Sequence, residues 1–314
     1  MKLVRGIQNW PADERGCALT IGNFDGIHRG HQQLVRRTVE LGHELGVPSA
    51  ILSFEPTPRE YFCASGAPGR IGTLRGKLRD LEALGLDRLI VQRFGRAFAT
   101  LEAPVFIHEV LVQRLGVRAL VVGDDFRFGA RRAGDLDLLR QAGQRHGFHV
   151  EAIASVVHAG VRCSSTAVRE ALACADLERA EDLLGRPYAL VGRVRGGLKL
   201  GRRLGMPTAN VVLRRMPALR MGVYAVTLRV LNWAGAPAWP GVANLGVRPT
   251  LGLTRCLLET HVLGECRDLY GLTVEICFRR FLRPEARFDS LEALGAQMQR
   301  DKAAALAFFA SKPA

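Results

Sequence analysis

Apolar and polar positions follow two different rhythms along this chain, and the change falls near residue 185. In the first half, short apolar runs at Cys17 to Ile21, Ser49 to Phe54, Arg88 to Gln92, Arg118 to Val122 and Val150 to Val157 read as strands. The second, fourth and fifth are apolar enough for a sheet buried on both faces. Between them the apolar spacing lengthens to that of a helix. The stretch from about Gly30 to Leu45 sets Leu34, Val35, Thr38, Leu41 and Leu45 on one stripe, and Leu74 to Leu84, Val105 to Leu115 and Asp135 to His146 are further helical stretches. Strand and helix in alternation predict an α/β domain whose parallel sheet is covered on both faces, with ligands at the carboxyl ends of the strands.

Beyond Leu184-Gly185-Arg186-Pro187 the long helical patterns stop. Tyr188 to Val194, Gly222 to Leu231, Ala238 to Asn244, Cys256 to Leu263 and Leu272 to Phe281 read as successive strands parted by Gly, Pro and Asn. That pattern predicts an antiparallel barrel or sandwich. A last helix, about Ser290 to Phe309, turns Leu291, Leu294, Met298, Ala305 and Phe308 to one side and is expected to pack on it. A chain of 314 residues suits two domains, expected at 1–185 and 186–314.

Composition narrows the function classes. At 48% hydrophobic and 24% charged residues the chain is an ordinary globular one. It lacks an apolar run of membrane-spanning length, and Met1 to Trp10 does not read as a secretory signal, so a cytoplasmic location is expected. The seven cysteines show no CxxC pair or zinc-like spacing, which fits reduced thiols. The net charge of +14 is spread along the chain in short arginine clusters. It reads as solvated faces rather than a polyanion-binding stripe.

Two constellations carry chemistry. Gly22-Asn23-Phe24-Asp25-Gly26-Ile27-His28-Arg29-Gly30-His31 ends the Cys17 to Ile21 strand and opens a helix. The glycines allow a sharp turn and a close ligand, and the helix start aims free N–H groups and a positive dipole end into the same space, so phosphate is expected there. His28 and His31, three apart, share one face of the first turn. Taken singly, a His-x-x-His or a glycine-rich turn is commonplace. Together, strand, Gly-x-Phe-Asp-Gly, His-x-Gly-His and helix resemble the signature of the HIGH-type nucleotidyltransferases, a Rossmann-like fold, and in particular the FMN adenylyltransferase half of bacterial FAD synthetases. Val122-Gly123-Asp124-Asp125-Phe126-Arg127-Phe128-Gly129 and Ser164-Ser165-Thr166-Ala167-Val168-Arg169 agree with that family.

The resemblance implies ATP and phosphate contacts at Gly22, Asn23, Phe24, Asp25, Gly26, Ser164, Ser165 and Thr166, catalytic roles for His28, His31 and Arg169, and flavin contacts at Phe54, Pro56, Asp125, Phe126 and Phe128. The chemistry implied is attack of an FMN phosphate oxygen on the α-phosphorus of ATP. Thr57 stands where many relatives carry His, and Ala167 where many carry Arg.

The second constellation is Gly201-Arg202-Arg203-Leu204-Gly205-Met206-Pro207-Thr208-Ala209-Asn210. The chain contains no P-loop. Pro-Thr-Ala-Asn by itself reads as a turn; in an extended stretch, Thr208 and Asn210 would present two neutral oxygens on one face, ligands that suit Mg²⁺. The run resembles the riboflavin kinase signature, and Met221 to Tyr224, Gly241 to Thr250 and Leu258-Glu259-Thr260-His261 follow in that family's order. The resemblance implies ATP contacts at Gly201, Gly205 and Pro207, Mg²⁺ on Thr208 and Asn210, a catalytic Glu259, and a flavin pocket shaped by Asn244, Arg283 and Arg300. Gly264-Glu265-Cys266-Arg267-Asp268 departs from the acidic run of many relatives.

Together the resemblances cover nearly the whole chain and point to the bifunctional riboflavin kinase/FAD synthetase family. They imply riboflavin, FMN, FAD and ATP as substrates or products and Mg²⁺ as cofactor. Small-molecule substrates are expected, with no nucleic acid and no membrane, and the oligomeric state is left open. A basic RNA-binding module is the rival reading from charge, but the 7% aromatic content supplies no base-stacking strand pattern.

Overall fold

The computed structural model describes the chain except residues 12, 13, 15, 64, 65, 197–205, 232, 234, 251, 252, 265–267 and 312–314, and except the side chains of 248–250 and 253–255. The predicted Gly201 and Gly205, with Arg202, Arg203 and Leu204 between them, lie outside the described residues, as do Glu265, Cys266 and Arg267. The chain divides into two compact units, Met1–Pro68 with Lys77–Ser164, and Gly69–Gly76 with Ser165–Ala314.

The first unit is built on six parallel strands: β1 Lys2–Arg5, β2 Cys17–Ile21, β3 Ser49–Glu55, β4 Arg88–Arg93, β5 Val117–Gly123 and β6 His149–Ile153, in the order β1-β4-β3-β2-β5-β6. β2, entirely buried, lies at the centre between β3 and β5. Helix α1 (Arg29–Leu45) ends on Gly46, whose left-handed φ of 64° a side chain would strain. Short α2 (Pro58–Phe62) follows β3, then α3 (Leu74–Ala83), α4 (Arg96–Ala99), α5 (Ala103–Val105) and α6 (Leu136–His146). The expected helix at Val105 to Leu115 winds as a π-helix over Phe106–Arg114, burying Phe106, Ile107, Val110 and Leu111. The expected strand at Val150 to Val157 stops at Ile153, and a separate hairpin, β7 (Val157–His158) and β8 (Val161–Arg162), follows.

The second unit opens with α7 (Ser165–Ala173) and α8 (Leu177–Leu184). Six antiparallel strands then close a barrel: β9 Ala189–Arg195, β10 Thr208–Leu213, β11 Gly222–Val230, β12 Trp239–Thr250, β13 Leu253–Val262 and β14 Thr273–Arg283, in the order β10-β13-β12-β11-β14-β9. The Pro-Thr-Ala-Asn stretch, a turn by composition, is the start of β10. Tyr224, Ala243 and Thr260 are neighbours in register and fully buried, which places them inside the barrel. Their chain neighbours Val223, Val242, Asn244, Glu259 and His261 therefore face outward. There the last helix, α9 (Leu291–Ser311), covers Val223, Ala225, Val242 and Leu263 with Ala305, Phe308 and Phe309. No helix among the described residues is long and apolar enough to cross a membrane.

Candidate functional site

In the first unit the chain leaves β2 at Ile21 and reaches α1 through a turn containing three left-handed residues, Phe24 (φ 46°), Gly26 (φ 82°) and Ile27 (φ 46°). Left-handed Phe and Ile are costly, by about 1 to 3 kcal/mol each, so the turn is held by its surroundings. Phe24 and Ile27 are buried, and Gln32 Nε2 donates to the Ile27 carbonyl at 3.0 Å. His28 is the N-cap of α1: its Nδ1 accepts from the His31 N–H at 3.4 Å, so the neutral ring carries its proton on Nε2. The His28 and His31 rings stack with centroids 3.7 Å apart, and Phe24 lies 4.8 Å from His31. Gly30 leaves room at the elbow, where a Cβ would press on the His28 ring at 3.3 Å and touch the Cys163 carbonyl at 3.4 Å. Asp25 is buried, and the buried Asn23 Oδ1 has no hydrogen-bond partner among the described residues.

The other predicted residues of this half are placed as follows. Phe54, 9% exposed, packs in the core against Phe94 and Phe98, and Pro56 follows a cis peptide. Thr57 closes a capping box with Glu60, its N–H donating to Glu60 Oε2 at 2.8 Å, so the residue that departs from many relatives has a structural use in starting α2. Asp125 accepts from Arg162 at 2.6 Å. Phe126 stacks on Phe128, which is itself 7% exposed. The exposed rings at the carboxyl ends of β3 and β4 are Tyr61 and Phe62, which the sequence reading did not single out; Phe62 is 67% exposed. Ser164 ends the first unit, whereas Ser165, Thr166 and Arg169 belong to α7 in the second. Arg169 is fixed there by bonds to the carbonyls of Gly69 (2.9 Å) and Ser165 (3.2 Å), and Ala167 is buried.

In the second unit, strand register builds a polar row on the outer barrel face. Asn210 on β10 lies opposite Glu259 on β13, which lies opposite Asn244 on β12, which lies opposite Val223 on β11, which lies opposite Arg283 on β14. Directly opposed residues share a face, so these five side chains stand together. Thr208 is opposite His261 one step along the same face. Thr208, Val223, Asn244, Glu259, His261 and Arg283 of this wall, with the 285–291 segment and Leu294, Met298 and Asp301 of α9, line a cavity of about 550 Å³; Asn210 stands at the end of the row, outside that lining. Asn210 is 5% exposed, its Nδ2 donates to the Thr208 carbonyl at 3.4 Å, and its buried Oδ1 has no hydrogen-bond partner among the described residues. An acceptor left in that state is costly unless a cation or donor meets it.

Arg283 forms a two-bond clasp with the buried Asp301 carboxylate, at 2.8 and 2.7 Å, and Gln297 donates to the same carboxylate at 2.8 Å. Arg300 does not line this cavity. It bonds Gln297 and borders a neighbouring one of about 440 Å³.

His261, also unremarked from sequence as an individual residue, lines the cavity with Nδ1 2.9 Å from the Pro207 carbonyl. A carbonyl only accepts, so Nδ1 holds the proton. Burial, together with the charge of Lys302, holds its pKa below the ordinary 6.5, against the Pro207 bond, which raises it. Folding therefore favours the neutral ring. Above about pH 6.5 this contribution is complete, and as pH falls through that range the unfolded chain gains a proton that the folded ring resists. The melting temperature is expected to fall more between pH 7.5 and 5.5 for the native protein than for His261→Gln, measured under the same conditions.

Comparison with known proteins places both halves. The FAD synthetase family matches residues 10–167 and the riboflavin kinase family residues 184–309. The chain is 49% identical to the bifunctional riboflavin kinase/FMN adenylyltransferase of Escherichia coli (strain K12), with 100% of each chain covered. It is 48% identical to the protein of the same description from Pseudomonas fluorescens, covering 99% of this chain and 98% of that one. A crystal structure described as a macrolide-efflux protein from Streptococcus pneumoniae shares the fold, with a TM-score of 0.76, 24% identity, and 96% and 97% of the two chains covered. The chain thus belongs to the bifunctional riboflavin kinase/FAD synthetase family, its FAD synthetase part preceding its riboflavin kinase part.

Proposed function

We propose that the kinase reaction, within 186–314, runs at the row Asn210, Glu259 and Asn244, and that adenylyl transfer, within 1–185, runs at the turn holding His28 and His31. The observation that carries the reading is that Glu259 and Asn244, paired across β13 and β12, face a flavin-sized cavity together with Thr208 of β10, while a separate turn at a helix N-terminus stacks two imidazoles.

In the kinase reaction riboflavin enters the cavity under α9, and the Arg283–Asp301 clasp fixes its wall. Glu259 takes the proton of the ribityl hydroxyl, whose oxygen then forms a bond to the γ-phosphorus of ATP as ADP leaves. The fit of Mg²⁺ rests on Asn210 Oδ1, a buried neutral acceptor without a hydrogen-bond partner among the described residues, beside Thr208 on the same strand face. Thr208 and Asn210 would hold the ion together with the phosphates, and its chemistry there is to neutralise their charge. Asn210→Ala is expected to raise the Mg²⁺ concentration for half-maximal FMN formation by roughly ten-fold or more, the scale of a lost metal-site contact. Titration of the rate with Mg²⁺ checks this.

In adenylyl transfer the FMN phosphate is already ionised and needs no base. Its oxygen bonds the α-phosphorus of ATP, and pyrophosphate leaves. His28 donates through Nε2–H, and His31 stands beside it to stabilise the same oxygens. Exposed Phe62 and Tyr61 offer the flavin ring a stacking surface. Cys17, Cys63, Cys163, Cys174 and Cys256 are free thiols, which suits a reducing compartment such as the cytoplasm.

Purified protein given riboflavin, ATP and Mg²⁺ tests the reading when flavins are separated over time. FMN should appear first and FAD after it; FMN accumulating without FAD would overturn the adenylyl-transfer half.

A further inference from the structure

A buried lysine lies beneath the His28/His31 turn. Lys77, on α3, is 9% exposed, and its Nζ donates to the Asn23 carbonyl at 2.6 Å and to Ser53 Oγ at 3.1 Å. Ser53, itself buried on β3, donates to the same Asn23 carbonyl at 3.1 Å. An ammonium is brought under sheet and turn at a desolvation cost, and the shorter of these two bonds is to a backbone oxygen of the turn.

The choice of oxygen matters. The peptide between Asn23 and Phe24 is planar and trans, so its carbonyl and its N–H point in opposite directions. Holding the Asn23 carbonyl down on Lys77 turns the Phe24 N–H to the other side of the turn. It also fixes the φ of Phe24 at 46°, because rotation of that one peptide changes φ of the residue after it. Left to itself a phenylalanine would relax to negative φ. Such a flip would remove the backbone conformation that seats the fully buried Phe24 ring, whose centroid lies 4.8 Å from that of His31, and His31 in turn stacks on His28. Bond, peptide, ring and imidazole form one chain of contacts within the first unit.

We propose that Lys77 is a positioning residue for adenylyl transfer: by anchoring the Asn23 carbonyl it keeps the Asn23–Phe24 peptide in its left-handed arrangement and so holds Phe24 against His31. Ser53 is the secondary anchor. The inference rests on the reading that this turn receives the phosphates of ATP, and it adds a residue that touches no substrate.

The test uses the full-length protein with Lys77→Met, which fills the space without a donor, and Lys77→Ala, which leaves room for a small amine. Conversion of FMN to FAD and of riboflavin to FMN are measured separately, with His31→Ala assayed in parallel. K77M is expected to lower kcat for FAD formation by roughly ten- to hundred-fold, the effect of misplacing a catalytic group by about an ångström. KM for FMN and the rate of FMN formation should hold. Ethylammonium added to K77A should restore part of the lost FAD formation, which a purely structural lysine would not show. Near-native FAD formation by K77M overturns the inference, and so does a loss in K77A that the amine leaves untouched. If H31A stays fully active while K77M does not, the histidine reading fails, and with it the route from Lys77 through Phe24 to His31; near-native K77M beside an inactive H31A overturns the lysine inference alone.

Discussion

Replacing Glu259 by Gln is expected to cut FMN formation from riboflavin by at least about 10²-fold, the lower end of what a positioned general base contributes. The change keeps size and hydrogen-bonding capacity and removes only the ability to take a proton. Conversion of added FMN to FAD should be unaffected, because Glu259 belongs to β13 of the barrel and the imidazole pair to the first unit. The two rates are read from one preparation by supplying riboflavin or FMN. An equal fall in both would mean that the reactions share a site. A loss confined to the riboflavin KM would instead make Glu259 a binding residue, since removal of a base lowers kcat.

Replacing His31 by Ala is expected to give the converse result, a fall of about 10²-fold or more in FAD formation, the scale of one lost donor to a transition-state oxyanion. FMN formation should continue. The His31 N–H that caps against His28 is a backbone group and survives the substitution, so α1 should still start where it does. His28 loses its stacking partner, however, and some of the effect will pass through it. Comparison with His31→Gln, which restores a donor without the aromatic face, separates the two contributions.

The sequence displayed some of this architecture directly and hid the rest for physical reasons. The buried strands β2, β3 and β5 are short apolar runs with few other interpretations, and α1 announces itself by its stripe and its glycine stop. β1 is only Lys2–Arg5, a four-residue edge strand whose one buried side chain is Val4; so short an alternation carries little signal. β10 was obscured by composition, since Pro207 and Asn210 favour turns. Pairing with β13 over six residues outweighs that local preference.

At the sites, motif spacing indicated which residues cluster, and register explains how: Asn210, Glu259 and Asn244 are far apart in the chain and adjacent across three strands. Burial was less legible. The resemblance implies Phe54 and Phe128 as aromatic neighbours of the flavin, and they are 9% and 7% exposed, while Phe62 stands out in solvent. Lys77 reads as one more charge on an amphipathic helix, and nothing local foretells that its end reaches a backbone carbonyl 54 residues away. His261 is similar, because its neutral state depends on burial and on Pro207. Resemblance placed Arg300 in the flavin pocket, but its position on α9 turns it toward the adjoining cavity.

The proposed chemistry requires one chain to hold two nucleotides in two unlike ways. A crystal structure of the protein with riboflavin, Mg²⁺ and a non-hydrolysable ATP analogue tests that most directly. It should show one nucleotide with its phosphates over His28 and His31, and a second whose Mg²⁺ lies about 2.1 Å from Thr208 Oγ1 and Asn210 Oδ1, the usual Mg–O length, with riboflavin beside Glu259. A single nucleotide per chain at saturating analogue, or a metal bound away from Thr208 and Asn210, would contradict it.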